Sequence, residues 1–84
     1  MDLEEQAASI DTKSDFVRFV ALLAEDARNN PESWENVDLV AFLNAMGRWT
    51  ASSENFYRNT GRVPPEQPTW RTFAETLLAA RIYE

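Results

Sequence analysis

The four prolines fall in two places, Pro31 alone and Pro64, Pro65 and Pro68 together, and they limit how the chain between them can fold. Proline lacks the backbone N–H that a helix interior or an inner strand needs, and it pushes the preceding residue out of helical geometry. Regular structure must therefore stop near residue 30 and again across residues 60–69. In the stretches so marked off, apolar residues recur at steps of three and four, the period of a helix with one buried face. No strand-like alternation of useful length is present. The chain reads as all-α, a small three-helix bundle with helices at about 12–29, 37–59 and 70–82.

Each helix carries its own boundary signals. Thr12 followed by Asp15 makes a capping box with Asp in place of Glu, and Ser14 is a competing cap. Phe16, Val20, Leu23, Ala24 and Ala27 then form the first apolar stripe, widened by Phe19, and Asn29, Asn30 and Pro31 end it. Asn36 is the candidate N-cap of the second helix, with Asp38 in its first turn where a negative charge suits the dipole. Leu39, Phe42, Leu43, Met46, Trp49, Ser53, Phe56 and Tyr57 carry that pattern to Asn59. Gly47, Ser52 and Ser53 weaken it, so a bend or break near 51–53 is the alternative to one continuous helix. Gly61 supplies the left-handed stop, and Thr69 caps a third helix whose stripe is Trp70, Phe73, Ala74, Leu77, Leu78 and Ile82.

The expected core is Phe16, Val20, Leu23, Leu39, Phe42, Leu43, Met46, Trp49, Phe73, Leu77 and Leu78. The stretch "FYRNTGRVPPEQPTWRTF" at 56–73 is read as a stiff connector, its prolines restricting the unfolded chain. Tyr57, Pro68 and Trp70 are expected to pack there as a lid, with Arg58 or Arg71 stacked on a ring. Pro65 to Pro68 also has the P-x-x-P spacing of a groove ligand, which would require an exposed extended segment. Residues 1–10 show no sustained apolar face and are expected to fray, leaving residues 11–84 as a single helical domain.

Several chemistries lack their parts. With no cysteine and no histidine, the chain has no disulfide, no thiolate or imidazole metal site and no imidazole base. There is no Gly-rich phosphate loop, and the serines have no visible base. Of the carboxylate pairs, Glu25 and Asp26 are adjacent on a helix and so do not face each other, while Glu32 and Glu35 lack the oxygen-rich repeat of a calcium loop. The protein is expected to be non-enzymatic, with no cofactor and no metal. The opening "MDLEEQAASI" begins acidic and has no apolar run long enough for a secretion signal or membrane span, so a cytoplasmic location is expected.

Charge separates along the chain: residues 1–38 hold ten acids against three bases, and residues 39–84 hold four acids against five bases. An acidic field repels phosphates, which argues against nucleic acid and anionic membrane and for a basic protein partner. The candidate docking site is Glu25, Asp26, Glu32, Trp34, Glu35 and Asp38, a tryptophan anchor set among carboxylates. The competing role for Trp34 is to fold back over the end of the bundle while its acidic neighbours face water.

The segments "WEN" at 34–36, "YRNTG" at 57–61 and "PEQPTWRTFAETLLAARIYE" at 65–84 resemble a family of short bacterial proteins of unknown function, over roughly Asp15 to Glu84. That resemblance brings no activity with it. By analogy with small acidic helical immunity proteins, the first functional expectation is a protein-binding module, in its specific form an immunity-type inhibitor whose acidic half docks on a basic toxin such as a nuclease. The alternative is a self-associating scaffold protein, a homodimer held by surplus aromatics.

Overall fold

Among the described residues, 2–83, the computed structural model forms five α-helices and one 3-10 turn: α1 (Leu3–Ala8), α2 (Lys13–Asn29), the turn Pro31–Ser33, α3 (Leu39–Ala51), α4 (Ser53–Asn59) and α5 (Trp70–Ala80). The architecture is all-α, with two more helices than the three-helix bundle expected from sequence. One of the two arises because the second predicted helix is broken at Ser52. There the serine hydroxyl donates to the Arg48 carbonyl at 3.1 Å, competing with the backbone for a helical acceptor.

The other is α1, in a segment expected to fray. Asp2 caps it by accepting from the Glu4 N–H at 2.9 Å, and Leu3, Ala7 and Ile10 fall at steps of four and three on one side. Ala7 and Ile10 are buried in the main core with Phe19, Leu23, Ala74 and Leu78, and Leu3 packs against it. Burial of one side chain the size of Ile10 stabilises by roughly 1.5–3 kcal/mol, enough to hold a helix too short to persist alone.

The capping signals of α2 and α5 hold. Thr12 Oγ1 accepts from the Asp15 N–H while the Asp15 carboxylate accepts from the N–H of Thr12, both at 3.1 Å. Thr69 Oγ1 likewise accepts from the Thr72 N–H. In α3 the cap is Asp38, which accepts from the Ala41 N–H at 2.9 Å, so this helix starts two residues later than expected and Asn36 is left for another task. α4 ends with Gly61 at φ 74°, the Gly61 N–H on the Arg58 carbonyl and the Arg62 N–H on the Tyr57 carbonyl, a Schellman closure.

α5 is the hub and touches α1, α2 and α3. Small residues make this possible: Ala45 of α3 and Ala74 and Ala80 of α5 are completely buried. Four expected core residues lie outside instead: Val20, Leu39, Leu43 and Phe73. α2 turns Phe19 and Leu23 inward, leaving Val20 to one side. α3 is apolar nearly all the way round, so spacing could not choose its inner face. The inner face proves to be the one on which Ala45 lets the helices approach.

The lid at the connector is built differently from the expectation. Trp70 packs on Phe16 and Phe73, with centroids 5.5 and 5.9 Å apart, while Tyr57 is buried elsewhere. The stacked arginine is Arg62, whose guanidinium lies 4.9 Å from the Tyr57 ring centroid. Arg58 pairs with Glu54, and Arg71 donates through Nε to the Ile10 carbonyl.

Candidate functional site

Of the six acidic and aromatic residues singled out in the sequence, Asp26 and Trp34 are joined to each other. The Trp34 indole N–H donates to Asp26 Oδ2 at 2.8 Å, and its ring stacks on Phe42 at 6.0 Å with a 25° interplanar angle. Trp34 is half-buried against the core. The indole hydrogen bond, a second from the Asn30 side chain and the positive charge of Arg81 hold the Asp26 carboxyl below the usual carboxylate range. Glu25, Glu32 and Glu35 are exposed, and Asp38 is exposed while capping α3.

The rest of the "WEN" segment straps the C-terminal end of α5. The backbone N–H groups of Glu35 and Asn36 both donate to the Arg81 carbonyl, at 2.9 and 3.0 Å. The Asn36 side-chain amide donates to the carbonyls of Ala80 and Tyr83, at 2.9 and 2.8 Å. The last carbonyls of a helix have no intrahelical donors, so the Asn36 side chain meets two of them while the backbone of residues 35 and 36 meets a third. Tyr83 then reaches Ser52, hydroxyl to hydroxyl at 3.0 Å, tying the strap to the α3–α4 break. Tyr57 plays the matching part for α4, donating to Glu75 of α5 at 3.1 Å while Arg62 holds the same carboxylate through two bonds of 2.8 and 3.2 Å. Burial, with the neighbouring Glu75 charge, raises the Tyr57 hydroxyl above its ordinary value.

An exposed apolar face lies on the outward side of α3, where Leu39 and Leu43 were expected in the core. Leu39 is 71% exposed, Val40 68% and Leu43 52%, with Val37 exposed in the lead-in. At 100° per residue these lie on the side of α3 opposite Ala45 and Trp49. Gly47 shares that side, and a Cβ built on it would meet nothing within 4 Å. Glu32, Glu35 and Asp38 immediately precede this face and give it an acidic end. The signal was present in the sequence as a helix apolar on both sides, a pattern that calls for burial on both. Among the described residues, no group of acids is placed to hold a metal ion, and no helix is long and apolar enough to cross a membrane.

Fold and surface together define, among the described residues, an all-helical protein in which polar side chains tie helix ends together and the apolar helix α3 is covered on a single side. The chain belongs to a family of unknown function, DUF7660, whose model matches residues 12–84; α1 lies outside the match. No curated protein and no solved structure matches the chain.

Proposed function

We propose that this protein is a non-enzymatic protein-binding module that docks a basic partner onto the outward face of α3. The observation that carries this reading is the exposed run Leu39, Val40 and Leu43 with Gly47 beside it. Glycine within a helix costs about 1 kcal/mol relative to alanine, and nothing in the surrounding fold requires one at position 47. A partner backbone lying close to α3 accounts for both the apolar side chains and the missing one. The carboxylates of Glu32, Glu35 and Asp38 at the near end supply the steering charge, while Trp34 and Asp26 support the surface from behind. In its specific form the partner is a basic bacterial toxin or nuclease met in the cytoplasm and the protein an immunity-type inhibitor, for which the acidic N-terminal half is the support.

Affinity capture from the native host tests this, with wild type, Leu43→Glu and the double variant Glu32→Lys/Glu35→Lys as parallel baits and a salt ladder for elution. Asp38 is left intact because it caps α3. A basic protein held by wild type, released early from the lysine variant and lost from Leu43→Glu is the expected result. Equal retention on all three baits would remove this surface. The second reading, self-association, draws on Trp70 and Phe73, which stay partly exposed in their cluster with Phe16. Sedimentation as a monomer at high concentration would dispose of it.

A further inference from the structure

Between α1, α3, α4 and the C-terminal end of α5 lies a groove of about 510 Å³, within the size range of sites that take small organic molecules. Alanines Ala7, Ala8 and Ala79 leave it open, and the rings of Trp49, Phe56 and Tyr83 line it. Two arginines also border it, and their states differ. Arg62 is satisfied, with two bonds to Glu75 and an aromatic ring beneath it. Arg81 is less well met: its side chain is only 11% exposed, its buried Nε has no hydrogen-bond partner among the described residues, and its ion pair is a long 3.5 Å contact from Nη2 to Glu4, itself 66% exposed. Asp26 lies within the field of Arg81, but its carboxylate oxygens already accept from Trp34 and Asn30.

A guanidinium offers five N–H donors, and leaving the buried one at Nε unmet while Nη2 makes only a long contact is unfavourable. An anion entering the groove would meet the guanidinium at Nη2, where it displaces only a weak contact to an exposed carboxylate. The aromatic lining suits a flat apolar body behind that anion. We infer that this groove is a binding site for a small aromatic carboxylic acid, its ring held among Trp49, Phe56 and Tyr83 and its carboxylate on Arg81 in place of Glu4. This site is separate from the outward face of α3 and stands or falls independently of it.

The test is an amide NMR titration of the full chain with 2-naphthoate and, in parallel, its neutral analogue 2-naphthamide. Shifts are expected at Ala7, Ala8, Ala79 and the Trp49 indole, with the acid binding about tenfold tighter than the amide, the margin of one charge-assisted contact. Arg81→Gln should bring the two ligands level. Ala8→Phe, at an exposed position on the lip of the groove, should block both without disturbing the core. Absence of groove shifts at millimolar acid, equal binding of acid and amide to wild type, or shifts confined to α3 would each overturn the inference.

Discussion

Replacing Asn36 by alanine removes the two hydrogen bonds that close the end of α5, to the carbonyls of Ala80 and Tyr83. Each such bond contributes about 0.5–1.5 kcal/mol net, and because Ala80 is fully buried, water is a poor substitute there. The loss should be about 2 kcal/mol, a large share of the stability of a domain this size. With a urea m-value of about 1 kcal/mol/M, the unfolding midpoint should fall by roughly 2 M. The thermal midpoint should fall by about 8–16 °C. Asn36→Asp sharpens the test, because it keeps the shape while turning acceptor oxygens toward carbonyl oxygens, and it should be less stable than Asn36→Ala. The assay is urea unfolding followed by tryptophan fluorescence and circular dichroism. If Asn36→Ala unfolds within about 0.5 kcal/mol of wild type, the range of an ordinary surface change, the strap does not hold α5 as described.

Two other perturbations bear on separate parts of the account. Asp26 is held below its unfolded value chiefly by the Trp34 indole, so its contribution is present above about pH 4 and drains away as the pH falls through the depressed folded value. Asn in its place should flatten the acid limb of the stability profile below pH 4, and an unchanged slope would count against the Trp34 contact. Gly47→Ala should stabilise the isolated protein by about 0.5–1 kcal/mol in urea unfolding, since a Cβ there meets nothing, while weakening the bound partner. A destabilised variant would mean that the glycine serves this fold rather than an interface.

Local signals were legible in the sequence, and distant ones were not. The Thr12 and Thr69 caps, the Gly61 stop and the weakness near Ser52 each depend on neighbours within a few residues, and each can be read along the chain. Asn36 looks like an N-cap by the same local logic, but the carbonyls it meets lie 44 and 47 residues away and carry no trace near position 36. Trp34 could be read as an anchor or as a cover, and its indole bond to Asp26 and its stacking on Phe42 join positions whose pairing no local signal announces. In α3, Leu39 and Leu43 keep the same helical spacing as the residues that do face inward. Only the completely buried Ala45, opposite them, shows which side α5 can approach. The Leu3, Ala7, Ile10 spacing of α1 was visible, but a six-residue helix gains its stability from the core it covers and not from its own sequence.

The central claim, that the outward face of α3 is a docking surface, is tested most directly by calorimetric titration of the purified captured partner into wild type and into Leu43→Glu. A charge placed in the desolvated centre of an interface should weaken binding at least 30-fold, a loss of about 2 kcal/mol or more, while the exposed site leaves folding intact. Equal affinity for the two proteins, with both folded, would contradict the claim.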